Sequence, residues 1–105
     1  MKIVGVAACP IGVAHTYITA ENIEKECRKR GFEIKMETQG SIGVENELDD
    51  EEIAEADLVI LAISVEIEGR ERFDNKLIYN AEVKDCASFP EKVIDDALAF
   101  YEENK

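Results

Sequence analysis

The chain has 105 residues, enough for one domain with a single hydrophobic core. Its 24 acidic and 12 basic residues give a formal charge of −12, and such a surface repels nucleic acids and anionic lipids. No apolar stretch approaches the roughly 18 residues of a membrane span, and the N-terminus lacks a signal-peptide pattern. We therefore expect residues 1–105 to form a single cytoplasmic domain that does not bind nucleic acid.

The first half of the chain alternates between strand and helix patterns. The apolar run at 2–8 predicts a buried strand, and residues 16–30 predict an amphipathic helix that ends before Gly31. Residues 32–37 alternate apolar and polar side chains, which predicts an edge strand. A second apolar run at 57–63 predicts another buried strand.

The second half continues the alternation. Asp49 begins a capping box that predicts a short helix at 50–56, and the short segment 76–79 predicts an edge strand. A final helix is expected to begin at Ser88, with Glu91 completing another capping box. This order is typical of an α/β three-layer sandwich, in which a four-stranded parallel sheet has helices on both faces.

The segment most indicative of chemistry follows the first strand. It reads Cys9-Pro10-Ile11-Gly12-Val13-Ala14-His15-Thr16. A cysteine between a strand and a helix meets backbone N–H groups and the positive end of the helix dipole, which bind anions and favour a thiolate. We expect Cys9 to be a nucleophile and residues 10–16 to form a phosphate-binding loop. Thr16 is expected to cap the helix and to donate its hydroxyl to the Cys9 sulfur.

The spacing within this segment distinguishes hydrolysis of a phosphocysteine from transfer of its phosphoryl group. Cysteine-dependent phosphatases resemble it, but they have an arginine after the cysteine and five further residues, where this chain has His15. Arginine binds phosphate with a bidentate, permanently charged fork, which histidine lacks. The residues therefore favour holding a phosphoryl group for transfer. A low-molecular-weight cysteine-dependent phosphatase stays open as the alternative, as does a non-catalytic interaction domain.

The remaining cysteines indicate structure instead of chemistry. Cys27 lies on the apolar face of the first predicted helix, and Cys86 lies shortly before the last one. With an odd number of cysteines, no paired Cys spacing and a single histidine, we expect neither a metal site nor a cofactor.

A second loop is expected after the second strand. The loop contains Gln39, Gly40 and Ser41, and it should lie at the same edge of the sheet as Cys9. These residues are candidates for lining the phosphate site or contacting a partner. Arg70 and Arg72 follow the third strand and could also reach an anion there, although solvated surface charge is the favoured interpretation.

Two motifs together resemble a known family. Cys9-Pro-x-Gly-x-Ala-His-Thr16 and Glu37-Thr-Gln-Gly-Ser-Ile-Gly-Val-Glu-Asn46 are similar to the fructose-specific IIB domain of the bacterial phosphoenolpyruvate–sugar phosphotransferase system. Two departures are Ile11, where the family often has Thr, and Ser64, where a family-like Asp is expected.

The resemblance implies a phosphotransferase with two protein partners. In that family the loop cysteine, which maps onto Cys9, accepts phosphate from a phosphohistidine on a IIA protein. It then passes the phosphate to a sugar, here fructose, bound by the membrane IIC protein. The resemblance also implies a four-stranded parallel sheet with helices on both faces, and a cytoplasmic domain that associates with the membrane through IIC.

Overall fold

The computed structural model describes residues 1–9, 13–40 and 43–105, and of Val13 and Ala14 only the backbone. The strands in these ranges are β1 (Lys2–Ala8), β2 (Glu33–Gly40), β3 (Gly43–Glu45), β4 (Leu58–Ile63) and β5 (Ile78–Ala81). The α-helices are α1 (Val13–Lys29), α2 (Asp50–Glu55), α3 (Val83–Ser88) and α4 (Pro90–Asn104), and a short 3-10 helix covers Arg70–Phe73. Across these same ranges, no helix combines the length and the apolar character that crossing a membrane requires.

The strands form one mixed sheet in the order β3-β2-β1-β4-β5. β1 is central and runs parallel to both β2 and β4, β5 runs parallel to β4, and β3 pairs antiparallel with β2. The predicted four-stranded parallel sheet is therefore wrong in its strand number and in its direction at one edge. β3 is short and fully exposed, so it has no apolar alternation that would reveal it in the sequence.

Two hydrophobic clusters explain why β4 and all of β1 after Lys2 are apolar. Ile3 and Ala7 of β1 pack in a cluster with residues of α1, α3 and α4. Val4 and Val6 pack in a second cluster, which includes residues of α2 and of the 3-10 helix. Alternate side chains of one strand are thus buried in different clusters, as expected for a central strand of a parallel sheet.

The first helix begins earlier than predicted. α1 starts at Val13, so Thr16 lies inside its first turn and does not cap it. Thr favours the cap position but is also tolerated in the first turn of a helix. Ala14, a strong helix former, favours a helix that begins before Thr16. The change places Val13, Ala14 and His15 of the predicted phosphate-binding segment on the helix as well.

One predicted capping box is confirmed and the other is wrong. The carboxylate of Asp49 accepts a hydrogen bond from the Glu52 amide at 2.7 Å, and Glu52 accepts one from the Asp49 amide at 3.0 Å. The box predicted to start at Ser88 does not form, because Ser88 is the last residue of α3 and α4 begins at Pro90 without a side-chain cap. α3 was not predicted.

Candidate active site

Three strand ends meet beside Cys9. Cys9 directly follows β1, and the last residue of β1, Ala8, is in register with Gln39 of β2 and with Ile63 of β4. The amide of Ser64 donates a hydrogen bond to the Ala8 carbonyl at 3.0 Å. The cysteine therefore lies at the carboxyl edge of the sheet, where α/β proteins bind their ligands.

Cys9 differs from the other cysteines in its exposure. It is partly exposed, whereas Cys27 and Cys86 are fully buried. Burial is the main cause that raises the pKa of each buried thiol to about 12. At neutral pH these two thiols stay protonated, so their burial in the core agrees with the structural role expected from the sequence.

The first turn of α1 supplies amide donors close in sequence to Cys9. The helix begins at Val13, and the first N–H groups of any α-helix lack an acceptor within the helix. The amides of residues 13–15 therefore have no acceptor within α1, and such N–H groups are the ones that bind anions at helix N-termini. Pro10, Ile11 and Gly12, which were predicted to complete the loop, lie outside the described residues, as do the side chains of Val13 and Ala14.

Two threonine hydroxyls are buried on the same helix. Thr16 and Thr19 are 2% and 0% exposed, and neither Oγ1 atom has a hydrogen-bond partner within the described ranges. The hydrogen bond expected from the Thr16 hydroxyl to the sulfur of Cys9, which lies within these ranges, is therefore not formed. His15, their neighbour, is exposed. Thr19 was not singled out in the sequence, where its spacing from Ala20 and Ile23 was the signal that it lies on the buried face.

The predicted second loop is in fact a β-hairpin. Gln39 and Gly40 are the last residues of β2, and Gly43, with a φ of 105°, begins β3. The positive φ is a conformation that glycine adopts without strain. Gly40 is exposed at the end of the strand, and Ser41 lies outside the described residues.

The side-chain amide of Gln39 makes three hydrogen bonds within the protein. Its Nε2 donates to Glu37 Oε2 at 2.7 Å and to the carbonyl of Glu68 at 3.0 Å. Its Oε1 accepts a hydrogen bond from the Glu68 amide at 2.8 Å. Since an amide nitrogen has only two hydrogens, no donor of Gln39 remains for a ligand in this arrangement.

Glu37 and Arg72 form a buried ion pair that the sequence did not reveal. Glu37 is 0% exposed, and it accepts hydrogen bonds from Arg72 Nη1 at 2.9 Å and Nη2 at 3.0 Å. Burial raises the pKa of the carboxyl, but the donors of Arg72, Gln39 and the Leu48 amide outweigh it and hold the pKa below its usual value. The interpretation of Arg72 as solvated surface charge is therefore wrong, while Arg70 is indeed exposed.

Metal ligands are not grouped in the part of the chain that the structure describes. There, no set of three or more His, Cys, Asp or Glu side chains is arranged to hold a metal ion.

Known proteins resemble this chain along most of its length. The model of the family described as "PTS system, Lactose/Cellobiose specific IIB subunit" matches residues 4–96. The "PTS system fructose-like EIIB component 2" of Escherichia coli (strain K12) is 51% identical over 85 residues, which are 81% of this chain and 80% of that protein.

Two larger proteins contain a similar segment. The "Fructose-like PTS system EIIBC component" of Escherichia coli (strain K12) is 52% identical over 81 residues, which cover 75% of this chain and 17% of that protein. A crystal structure of a domain from a fructose-specific IIABC component of Borrelia burgdorferi has a TM-score of 0.87 and 47% identity, and the match covers 93% of each chain. The chain thus belongs to the IIB family of the phosphoenolpyruvate–sugar phosphotransferase system.

Proposed function

We propose that residues 1–105 act as one IIB domain that carries a phosphoryl group on Cys9. The group would come from a phosphohistidine on a IIA protein and go to a sugar bound by a membrane IIC protein. The single observation that best supports this role is the position of Cys9, a partly exposed thiol between the end of β1 and the start of α1. The names of the relatives, which are fructose-like and fructose-specific, make fructose or a similar sugar the proposed acceptor.

In the first step the thiolate of Cys9 attacks the phosphorus atom of the phosphohistidine. An S–P bond forms as the P–N bond breaks, and the departing histidine nitrogen keeps the electron pair. Backbone N–H groups of the loop would stabilise the charge on the three equatorial oxygens. Pro10 has no N–H and α1 begins at Val13, so we assign this role to the amides of residues 11–15, and to Thr16 a contact through its side-chain hydroxyl.

In the second step a hydroxyl oxygen of the sugar attacks the same phosphorus atom. The S–P bond breaks, the sulfur leaves as a thiolate, and the hydroxyl proton is released. The amides that bind the phosphoryl group in the first step then face the restored thiolate, which is also an anion. A helix N-terminus suits both states because its partial positive charge favours each of them.

The proposed IIA and IIC partners agree with the names of the larger proteins in which similar segments are found. A similar segment is found in a protein named EIIBC, and a similar domain in a protein named IIABC. Fusion of these units indicates that IIA, IIB and IIC meet during their work. We therefore propose that this domain acts on the cytoplasmic side of the membrane and associates with it through IIC.

A cysteine-dependent phosphatase is the second candidate, and the structure offers one observation against it. Rapid hydrolysis of a phosphocysteine needs a guanidinium that binds the phosphate with two hydrogen bonds. Arg72 already uses both terminal nitrogens on Glu37, and the expected arginine position is occupied by the exposed His15. Phosphoryl carriage is therefore favoured over hydrolysis.

Mass spectrometry of the intact protein tests the proposal. The chain is incubated with phosphoenolpyruvate, the general phosphotransferase proteins and a IIA protein. We expect one added phosphate on the wild type, none on Cys9→Ser, and one on the control Cys86→Ala, which keeps Cys9. No added phosphate in the presence of an active phosphorylated IIA protein would refute the carrier role, and turnover of p-nitrophenyl phosphate without these proteins would support the phosphatase.

A further inference from the structure

At the edge of the sheet where Cys9 follows β1, the side chain of Gln39 links β2 to the chain after β4, a strand with which β2 does not pair. β1 lies between β2 and β4, yet the side chain of Gln39 binds the chain that follows β4. It does so through two hydrogen bonds with the backbone of Glu68, of 3.0 Å and 2.8 Å. We call residues 64–69, which follow β4, the 64–69 segment.

The 64–69 segment is fixed at both ends. At its start, the amide of Ser64 is bonded to the carbonyl of Ala8 at 3.0 Å. At its end, Arg72 donates from Nε to the carbonyl of Gly69 at 2.7 Å. The guanidinium of Arg72 also binds Glu37, which in turn accepts from Gln39 at 2.7 Å, so the three side chains form one network.

The strand register relates this network to Cys9. Glu37 is paired with Val6 and Gln39 with Ala8, and side chains in register on parallel strands point to the same face of the sheet. Val6 belongs to the second hydrophobic cluster, whereas α1 packs in the first. The backbone that leads into Cys9 is therefore constrained by the helix from one face and by the Gln39 network from the other.

We propose that Gln39, Glu37 and Arg72 are positioning residues for phosphoryl transfer at Cys9. They hold the end of β1 and the 64–69 segment in one arrangement, and through it they orient the thiol toward the phosphorus atom. Glu37 is fully buried with its charge paired, Arg72 and Gln39 are half-buried, and both amide hydrogens of Gln39 are bonded. Hydrogen bonds that converge on a buried, paired charge make the surrounding structure rigid. None of the three touches the reacting atoms. This inference rests on the proposed function of Cys9.

In-line transfer is sensitive to small errors of position. A displacement of about 1 Å at the reacting atoms costs up to about 100-fold in rate, even when the mutated residue is distant from the chemistry. Loss of the network is therefore expected to slow the chemical step while leaving the encounter with the phosphate donor nearly unchanged.

The test compares Gln39→Leu with a matched control on the same strand. Gln39→Leu removes the bonds to Glu37 and Glu68 and keeps a branched side chain that is one atom shorter. The control Lys35→Met removes the Lys35–Glu52 ion pair of 2.8 Å, which does not involve the 64–69 segment. Transfer from a phosphorylated IIA protein to Cys9 is measured by quenched flow over a range of donor concentrations.

For Gln39→Leu we expect the maximal transfer rate to fall about 10- to 100-fold, with the half-saturating donor concentration within about twofold of the wild type. Amide exchange of Glu68 should accelerate in this variant and not in the control. A wild-type maximal rate in Gln39→Leu would overturn the proposal, as would a reduced rate with unchanged Glu68 exchange. Should Gln39→Leu fail to fold, Gln39→Asn, which is one methylene shorter, replaces it.

A separate measurement distinguishes failure of this inference from failure of the carrier role. If the wild-type protein takes no phosphate from IIA, the carrier role is refuted. The pH profile of Cys9 alkylation by iodoacetamide still reports how the thiol is placed. A profile that shifts in Gln39→Leu but not in Lys35→Met supports positioning, and identical profiles in all three proteins overturn it.

Discussion

Arg72 binds the carboxylate of Glu37 with two parallel hydrogen bonds of 2.9 Å and 3.0 Å, although 35 positions separate the two residues in the chain. The carboxylate is fully buried, and the arginine side chain is 16% exposed. The pair connects β2 to the 3-10 helix. Its geometry leads to the first two predictions.

Removal of the arginine should be strongly destabilising. Arg72→Met leaves the carboxylate of Glu37 buried without its counter-charge, and breaking a buried pair in this way costs about 3–5 kcal/mol. The free energy of unfolding is measured by urea denaturation at pH 7. The double variant Glu37→Met/Arg72→Met should recover a large part of the loss. If Arg72→Met alone costs less than about 1 kcal/mol, the pair does not contribute as the structure indicates.

The same pair should make stability depend on pH in the acid range. Because the pKa of Glu37 is lower in the folded protein than in the unfolded chain, its contribution is fully present above the unfolded value of about 4.3. The contribution is lost as the pH falls from there through the lower folded value. Urea midpoints of the wild type should therefore decline more steeply below about pH 4.3 than those of Glu37→Gln. Parallel curves for the two proteins would contradict this origin.

Only one of the three thiols should react in the folded protein. Cys27 and Cys86 are fully buried, and burial raises the pKa of each thiol to about 12, so both remain protonated at pH 8. Treatment with iodoacetamide, followed by intact-mass measurement, should show one adduct on the native wild type and none on native Cys9→Ser. In 8 M urea, roughly the concentration that unfolds most small domains, all three should react. A second adduct on the native protein would show that a buried cysteine is accessible.

The buried hydroxyls of Thr16 and Thr19 should differ in function. Neither Oγ1 has a partner among the described residues, so Thr→Val at either position should leave stability unchanged or raise it by about 1 kcal/mol. Thr16 is the closer in sequence to Cys9, and a hydrogen bond from its hydroxyl to a phosphoryl group carried on Cys9 is worth at least about 1.5 kcal/mol, or about tenfold in rate. Transfer to Cys9 should therefore slow about tenfold in Thr16→Val but not in Thr19→Val. Equal rates in both variants would remove Thr16 from the site.

Local sequence patterns were sufficient to predict the buried strands and the helix whose cap lies within a few residues of its start. The apolar runs predicted β1 and β4, and the Asp49–Glu52 spacing predicted the start of α2, because each signal lies within a few residues. The expected burial of Cys27 is confirmed for the same reason, since it follows from the period of one helix.

The features that the sequence did not predict depend on contacts between residues that are distant in the chain. Glu37 alternates with Met36 and therefore has the pattern of a solvated face, until the structure shows Arg72 beside it. Gln39 and Glu68 are 29 positions apart, and nothing in either local sequence indicates that they pair. In the same way, β3 exists only because β2 is there to pair with it.

The central position of β1 has a consequence for how the domain works with other proteins. Its backbone is bonded to a neighbouring strand on each side, so its amides are expected to exchange with solvent only when the whole domain unfolds. The residue that we propose to carry the phosphoryl group is therefore attached to the least mobile part of the molecule. The sulfur of Cys9 is then expected to stay in place during transfer. The IIA and IIC proteins would have to move their own reacting groups into line with it.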